Sequence, residues 1–242
     1  MLHQYLTEHQ VLNGYVLTVL SVILCIVVPY FLGSLNFGVI LSRGLYKEDV
    51  RTKGSGNAGS TNMLRSYGKA AGAMTLLGDA LKTVVACLFG YLIFGWNGMY
   101  LAGMFCILGH MFPAYYKFKG GKGVVCLAIM VVMTDWRVFL ILISLFIILV
   151  IGTKFVSLGS VICAMLYPLV LNRLNGYLPL ATMMVDGQQV PLRSGELVAI
   201  AVACLVVFMH RENIKRLYRG EESKLSFKKK KKEAEKKDDS DE

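Results

Sequence analysis

Apolar residues are gathered into seven stretches along the chain, separated by polar or charged segments. The stretches cover residues 11–32, 70–94, 98–115, 123–134, 138–153, 155–171 and 197–209. A helix needs roughly 20 apolar residues to cross the hydrocarbon core of a bilayer, with a range of about 17–25, so the fourth and the last are short. Short helices are extended by flanking residues, enter the membrane without crossing it, or lie where the bilayer thins. We predict an all-α integral membrane protein, a seven-span helical bundle, with five spans as the alternative.

The composition agrees with a membrane protein. Hydrophobic residues make up 55% of the 242 residues, charged residues only 17%, and the mean hydropathy is +0.54. Soluble domains carry about 25% charged residues, and disordered chains are poor in hydrophobic residues, so both classes are excluded for the bulk of the chain. The six cysteines all lie within apolar stretches, and no C-x-x-C spacing occurs. We therefore predict no disulfide framework and no zinc site. No His, Asp and Glu cluster has the spacing of metal ligands, so we predict a protein without a metal, and we predict no cofactor.

The basic residues indicate how the chain is oriented in the membrane. When the connections are assigned alternately to two sides, one side holds nearly all Lys and Arg, in 43–69, in 116–122, at Lys154 and after residue 209. The other side holds Arg137, Arg173 and Arg193. Because cytoplasmic loops carry an excess of Lys and Arg, we place the N-terminus outside and the C-terminus in the cytoplasm. Segment 172–195 then becomes an external loop.

We divide the chain into a polytopic membrane domain, residues 1–222, and a disordered charged cytoplasmic tail, residues 223–242. The tail contains a run of lysines at 228–232 and an almost wholly acidic end at 238–242. Blocks of like charge do not fold, and a basic run is attracted to anionic lipid head groups. Since no aromatic residues interleave the lysines, we predict contact with membrane lipids and none with nucleic acid.

Three polar segments on the predicted cytoplasmic side carry candidate chemistry. The first, residues 54–65, reads G-S-G-N-A-G-S-T-N-M-L-R. Its glycines leave backbone N–H groups uncovered and allow positive φ angles, and bare N–H groups beside an arginine suit an anion. We predict that this segment binds a phosphate through Arg65 together with Gly54, Ser55, Gly56, Asn57, Thr61 and Asn62. The alternative is a flexible cytoplasmic loop.

The second segment, residues 109–123, ends in Gly120, Gly121, Lys122 and Gly123, directly before an apolar stretch that we predict to be helical. A lysine among glycines at a helix N-terminus suits a phosphate, because the helix dipole and the free N–H groups there favour negative charge. The alternative is a basic interfacial turn.

The third segment, residues 210–222, begins where the last stretch meets the cytoplasm. His210 and Asn213 are three residues apart, so on a helix they share one face. A histidine there is suited to act as a general base or as a phosphate ligand. The alternative is an interfacial helix whose basic side chains reach along the membrane surface. Three charged residues of the segment are interpreted as scaffold: Glu212, Arg216 and Glu221.

Two charged residues, Asp79 and Lys82, lie in the middle of the second stretch. An unpaired charge is costly at that depth, and a spacing of three places both on one helix face. We predict a structural ion pair inside the bundle; a role in substrate binding is the alternative. His110, near the end of the third stretch, is interpreted as a structural hydrogen-bonding residue.

The three segments together predict a site for phosphorylated substrates at the cytoplasmic interface, without identifying the reaction. In this order they resemble the bacterial acyl-phosphate:glycerol-3-phosphate acyltransferases, the PlsY family. The resemblance covers residues from about 30 to 222. It rests on Gly33-Ser34, Phe37-Gly38, Val50-Arg51, 54–65, Asp79, Lys82, Gly109-His110, Pro113, 118–124, Val156-Ser157-Leu158 and 210–220.

The resemblance implies a specific activity and location. Members of the family transfer a fatty acyl group from acyl phosphate to the sn-1 hydroxyl of glycerol 3-phosphate, giving lysophosphatidic acid and phosphate, the first step of phospholipid biosynthesis. They are seven-span bundles of the bacterial inner membrane with the active site facing the cytoplasm, functionally linked to the enzyme that makes acyl phosphate. By motif matching, the residues that contact the substrates are Ser55, Arg65, Lys122, His210 and Asn213.

The resemblance leaves the base open between His210 and the acyl phosphate's own phosphate, which the family is proposed to use. We favour the latter, because no carboxylate is obviously placed to orient the imidazole. Acyltransferases that use acyl-CoA or acyl carrier protein resemble one another in a His-x4-Asp motif, which this chain lacks. A transporter of a phosphorylated or lipid anion is the competing class. A transporter would show polar residues near the bilayer midplane and paired broken helices. Only Asp79 and Lys82 fit this pattern.

Overall fold

The computed structural model describes residues 2–8, 13–178, 182–185, 188–191 and 194–225. Its helices are α1 (Leu2–Glu8), α2 (Gly14–Ser34), α3 (Phe37–Tyr46), α4 (Ser60–Tyr67), α5 (Lys69–Met111), α6 (Val124–Thr134), α7 (Trp136–Thr153), α8 (Val156–Tyr177), α9 (Ser194–Met209) and α10 (Arg211–Tyr218). Short 3₁₀ turns, Val50–Thr52 and Ala114–Tyr116, lie in the connections. The strands β1 (Thr182–Val185) and β2 (Gln188–Pro191) pair antiparallel.

The longest helix, α5, folds back on itself at Phe94 and Gly95. Both residues leave the helical range, and Gly95 has a φ of +62°. A Cβ on Gly90 would lie 2.2 Å from the carbonyl oxygen of Gly98, although eight residues of straight helix would separate the two by roughly 12 Å. The element is therefore a hairpin of two closely packed arms, and these arms correspond to the second and third predicted stretches.

Buried apolar side chains form two clusters. The larger lies among α5, α6, α7, α8 and α9 and includes Ile107, Met130, Tyr167, Leu171 and Val202. The smaller lies beneath the first polar segment and contains Val39, Val50, Ala58, Met63 and Ala71. Large apolar side chains are also exposed on the outer faces of the long helices, among them Leu81, Leu92, Ile148, Ile151 and Leu169. Exposed apolar surface of this extent suits contact with lipid.

The long apolar helices agree with an integral membrane protein. Within the described ranges, four helical segments are long and apolar enough to cross a membrane: Gly14–Tyr46, Lys69–Tyr116, Trp136–Thr153 and Val156–Tyr177. Ser194–Met209 and Arg211–Tyr218, bent by 55°, make a fifth if they are counted as one span, while Val124–Thr134 is shorter. The segment Lys69–Tyr116 holds the two arms of α5. The seven-span count and the orientation of the termini stay predictions.

The all-helical prediction is confirmed for the bundle, and two short strands accompany the helices. The strands lie within the predicted external loop 172–195. Positions 172–177 and 194–195 of that segment belong to α8 and α9, and positions 179–181, 186–187 and 192–193 are outside the described residues. Asp-Gly at 186–187 joins two short segments that contain valine, and Asp-Gly between such segments is a strong hairpin signal. The hairpin was predictable from this dipeptide.

Candidate active site

A cavity of about 880 Å³ is bordered by all three predicted polar segments. Its polar mouth is lined by Ser55, Asn57, Ser60, Thr61, Asn62, Arg65, Lys122, Ser157, His210, Asn213 and Glu222. Its apolar groove is lined by residues of α6, α7 and α8, including Leu127, Ala128, Val131, Phe139, Leu142, Ile143, Phe146, Val150 and Val156. The cavity thus places hydrogen-bond donors and cations at one end and hydrocarbon at the other.

Asn62 organises the first segment from within. Its side-chain amide lies within hydrogen-bonding distance of the carbonyls of Val50 (3.1 Å), Lys53 (2.9 Å) and Asn57 (2.8 Å). Its Oδ1 accepts from the N–H of Ser55 at 2.9 Å. Asn62 is buried, and its polar atoms are committed to the loop, so its predicted part in phosphate binding is indirect.

Two glycine N–H groups of the first segment are used inside the loop. Gly56 donates to the carbonyl of Lys53, and Gly59 donates to Oδ1 of Asn57, both at 3.0 Å. Gly54 and Gly56 have φ of +57° and +70°, so they serve the turn. The prediction of an anion contact is therefore corrected for the N–H of Gly56, whereas for Gly54 it stays a prediction. The mouth is lined by side chains of this segment, including Ser55, Thr61 and Arg65.

The second segment presents Lys122 from a tightly packed turn. Gly120 and Gly121 donate their N–H groups to the carbonyls of Met111 (3.1 Å) and His110 (3.0 Å), so these glycines pack backbone against backbone and do not offer N–H groups to a ligand, contrary to the prediction. Gly123, with φ of +75°, precedes the first residue of α6, and the predicted helix start is confirmed.

The side chain of Lys122 lies in the mouth and is hydrogen-bonded there. Its Nζ donates to Oδ1 of Asn213 at 2.5 Å. Burial lowers the pKa of Lys122 to about 8; the carboxylate of Glu222 opposes this shift, whereas the positive charges of Arg216 and Arg65 add to it. An anion bound in the mouth would therefore stabilise the charged form of Lys122.

His210 and Asn213 lie at the 55° bend between α9 and α10. The Nδ1–H of His210 donates to the carbonyl of Val206 at 2.7 Å, which leaves Nε2 as the second polar atom of a ring that lines the cavity. Asn213 accepts from Lys122 and donates its Nδ2 to Glu222 at 2.7 Å. The predicted pair is brought together with Lys122.

Glu222 is a site residue that the sequence reasoning missed. Its carboxylate accepts hydrogen bonds from Ser157 (2.8 Å), Asn213 (2.7 Å) and Arg216 (2.8 Å). Burial alone would raise the pKa of Glu222, but these bonds outweigh it and hold the pKa below its ordinary value. The signal available in the sequence was the glycine at position 220, just after α10. Its φ is +73°, and the chain turns there toward the mouth.

The chain continues along the mouth beyond residue 222. Arg65 donates to the carbonyl of Ser223 at 3.1 Å, and the N–H of Leu225 donates to the carbonyl of Lys154 at 2.7 Å. Both Ser223 and Leu225 line the cavity. Residues 226–242, including the lysine run and the acidic end, lie outside the described residues.

Asp79 and Lys82 form the ion pair that their spacing predicts, with Nζ 2.8 Å from Oδ1. The ammonium of Lys82 also lies 2.9 Å from the carbonyl of Gly33, 2.7 Å from that of Leu35 and 2.9 Å from Nδ1 of His110. All three side chains are buried. The pair therefore ties the C-terminal end of α2 to both arms of α5.

These features define a class of protein: a helical membrane protein with a cation-lined mouth that continues into an apolar groove. A sequence profile of the glycerol-3-phosphate acyltransferase family matches residues 23–220. The chain is 39% identical over 217 residues to the glycerol-3-phosphate acyltransferase of Clostridioides difficile, covering 87% of this chain and 98% of that protein. It is 37% identical over 202 residues to that of Finegoldia magna, covering 82% and 93%.

The fold is similar to that of solved structures as well. The crystal structure of PlsY (YgiH), an integral membrane glycerol 3-phosphate acyltransferase, in its glycerol 3-phosphate form matches with a TM-score of 0.74 and 31% identity, over 85% of this chain and 96% of that chain. Its lysophosphatidic acid form matches with a TM-score of 0.72 and 30% identity, over 86% and 96%. This chain belongs to the PlsY family of glycerol-3-phosphate acyltransferases, membrane enzymes of phospholipid biosynthesis.

Proposed function

We propose that this protein transfers a fatty acyl group from acyl phosphate to the sn-1 hydroxyl of glycerol 3-phosphate, giving lysophosphatidic acid and inorganic phosphate. The supporting observation is the continuity of the polar mouth with the apolar groove in one cavity. A phosphorylated alcohol fits the mouth, and an acyl phosphate has a phosphate for the mouth and a hydrocarbon chain for the groove. Solved relatives of this fold hold glycerol 3-phosphate in one form and lysophosphatidic acid in another.

The groove has the dimensions of an acyl chain. From Val150 to Phe139 its wall follows α7 for roughly 16 Å, at about 1.5 Å of rise per residue. An extended hydrocarbon advances about 1.25 Å per carbon, given C–C bonds of about 1.5 Å. The groove therefore accommodates most of a common fatty acyl chain, and burial of each methylene adds about 0.8 kcal/mol of favourable transfer free energy.

Arg65 and Lys122 supply the positive charge that two phosphorylated substrates require. Two anions held close enough to react repel each other, and in a partly desolvated site this repulsion is stronger than in water. Cations fixed in place before the reaction offset it and stabilise charge that develops in the transition state. We assign substrate contact to Ser55, Arg65, Lys122, His210 and Asn213.

The reaction breaks the bond between the acyl carbon and the bridging oxygen of acyl phosphate and forms a bond from that carbon to the glycerol oxygen. Phosphate leaves with the electron pair, and the hydroxyl proton passes to a phosphate oxygen. We propose this substrate-assisted route because the Nδ1–H of His210 is bound by a neutral carbonyl. A carbonyl stabilises an imidazolium less than a carboxylate does. His210 then orients a substrate.

His210→Gln is expected to retain measurable turnover, with its main defect in the KM of glycerol 3-phosphate. Glutamine keeps a donor but takes up no proton near neutral pH, whereas a general base contributes about 10²–10⁴-fold. The measurement is kcat and KM across pH for both proteins. A fall in kcat of more than a thousandfold at unchanged KM, with loss of a rate limb near the ordinary histidine pKa, would make His210 the base.

Lys122 should impose an alkaline limb on kcat/KM. A lysine is charged below its pKa, and the pKa of Lys122 is lowered to about 8 by burial, so kcat/KM should fall as pH rises through about 8. Lys122→Arg keeps its charge far above that pH, so its lower activity should show no such limb. An identical limb in both proteins would assign it to another group.

We further propose that the protein spans the bacterial inner membrane seven times, with the N-terminus outside and the C-terminus and the mouth facing the cytoplasm. The positive-inside distribution of Lys and Arg supports this orientation. The donor would come from an enzyme that makes acyl phosphate, which the family's activity requires. The orientation is tested with a reporter that is fused to the C-terminus and is active only in the cytoplasm. An inactive reporter would contradict the proposed orientation.

The proposed activity is tested with purified protein, palmitoyl phosphate and glycerol 3-phosphate. We expect 1-palmitoyl-glycerol 3-phosphate, separated chromatographically from its 2-palmitoyl isomer, without added metal or cofactor. Formation of the 2-isomer alone would contradict the sn-1 assignment. Persistent loss of turnover with EDTA, restored by a divalent ion, would contradict a reaction without a metal.

A further inference from the structure

His110 is a buried side chain that the proposed mechanism does not use. It lies at the end of α5. One edge of its ring is directed toward the Asp79–Lys82 ion pair, and another edge is directed toward the turn that carries Lys122. At the first edge, Nδ1 lies 2.9 Å from Nζ of Lys82 and 3.4 Å from Oδ1 of Asp79. Each of these partners is itself buried, so the imidazole is held in one orientation.

The opposite edge of the imidazole meets Gly121. A Cβ on Gly121 would lie 2.1 Å from Nε2, 2.9 Å from Cε1 and 3.0 Å from Cδ2 of His110. Real Cβ atoms do not approach other atoms this closely, so the turn rests on the ring with no room for a side chain. The N–H of Gly121 also donates to the carbonyl of His110 at 3.0 Å. The residue directly after this contact is Lys122.

We propose that His110 is a positioning residue: its imidazole, held by Asp79 and Lys82, supports the backbone at Gly121 and thereby sets where Lys122 enters the mouth. This chain of contacts links a buried ion pair to a cation of the site through one ring. A lysine displaced by even an ångström loses much of its contribution, since charge stabilisation depends on groups fixed in advance. The kinetic part of this proposal rests on the proposed function.

Two neighbouring glycines allow a matched test. Gly121→Ala places a methyl group against the His110 ring, whereas Gly120→Ala places one 2.0 Å from the His110 carbonyl oxygen and 2.6 Å from Cδ of Pro113. Shortening the His110 side chain removes the first obstacle and leaves the second. Asparagine keeps a polar atom near the position of Nδ1 for Lys82 and lacks the ring atoms that face Gly121.

The experiment compares wild type, Gly121→Ala, Gly120→Ala, His110→Asn and both double variants with His110→Asn. We expect Gly121→Ala to reduce kcat/KM by roughly tenfold or more, and His110→Asn to suppress most of that loss, a coupling in the range found for residues in contact. The loss from Gly120→Ala should persist in the His110→Asn background. His110→Ala, made in parallel, replaces asparagine if His110→Asn does not fold.

A second readout does not depend on catalysis. The rate at which an amine-reactive ester labels Lys122 is measured by mass spectrometry, with the exposed Lys117 and Lys119 as internal references. Gly121→Ala should raise the relative labelling of Lys122 several-fold, and His110→Asn should bring it back toward the wild-type value.

Suppression of Gly120→Ala as large as that of Gly121→Ala, or labelling of Lys122 that no variant changes, would overturn the proposal. A wild-type protein without acyl transfer whose Lys122 labelling follows the expected pattern would contradict the proposed function and leave the positioning role supported.

Discussion

Arg65→Ala and Lys122→Ala are each expected to lower kcat/KM for acyl transfer by roughly tenfold to 150-fold, because each removes a cation from the mouth. Hydrogen bonds to charged groups are worth about 1.5–3 kcal/mol, and about 1.4 kcal/mol corresponds to a factor of ten. The measurement is steady-state kinetics on purified variants, together with their thermal unfolding.

The control for Lys122 is Lys119→Ala, which removes an exposed lysine three residues away. Its kcat/KM should stay close to that of wild type. Equal losses in Lys119→Ala and Lys122→Ala would mean that the loop acts through its overall charge, and the assignment of Lys122 to the mouth would be wrong.

Glu222→Ala is expected to lower turnover by about tenfold or more and to lower the melting temperature. The substitution leaves Ser157, Asn213 and Arg216 without their shared acceptor, and unsatisfied buried donors are destabilising by about 1–3 kcal/mol. Asn213 would then no longer be fixed for its bond to Lys122. Glu221→Ala, which removes an exposed neighbour, is the matched control and should behave like wild type.

The stability loss of Glu222→Ala should depend on pH in a defined direction. Because the folded-state pKa of Glu222 lies below its ordinary value of 4.5, the ionised carboxylate stabilises the wild type above about pH 4.5. That stabilisation is lost as pH falls through the folded-state pKa. The gap in melting temperature between wild type and Glu222→Ala should be full near neutral pH and narrow in acid. A gap that widens in acid would show that the carboxylate is not the stabilising group.

The local pattern of apolar and polar residues was sufficient to predict the helices and much of the site. The seven apolar stretches correspond to helices because a bilayer admits backbone whose hydrogen bonds are satisfied within the segment. The Asp79–Lys82 pair followed from its spacing and from the free energy of burying a lone charge. Ser55, Arg65, Lys122, His210 and Asn213 were brought to one cavity because three polar segments lie on one side of the same bundle.

The remaining parts depended on tertiary contacts that a local pattern does not contain. The glycines of the first two segments were predicted to offer N–H groups, but the carbonyls of Lys53, Met111 and His110 accept hydrogen bonds from three of these glycines in the folded chain. In the sequence, Glu222 follows an amphipathic helix and resembles a solvent-exposed charge. In the structure, the chain turns back at Gly220, and Glu222 accepts a hydrogen bond from Ser157. The β-hairpin is different, because the Asp-Gly dipeptide between its strands is a local signal in the sequence.

The most direct test of the central claim compares acyl donors on one preparation of the protein. Wild type and Lys122→Ala are incubated with glycerol 3-phosphate and either palmitoyl phosphate or palmitoyl-CoA, and lysophosphatidic acid and released phosphate are quantified together. We predict lysophosphatidic acid and phosphate in a one-to-one ratio from palmitoyl phosphate, a strong reduction in Lys122→Ala, and no product from palmitoyl-CoA. Product from palmitoyl-CoA at a comparable rate, undiminished in Lys122→Ala, would contradict both the proposed donor and the role of the cation-lined mouth.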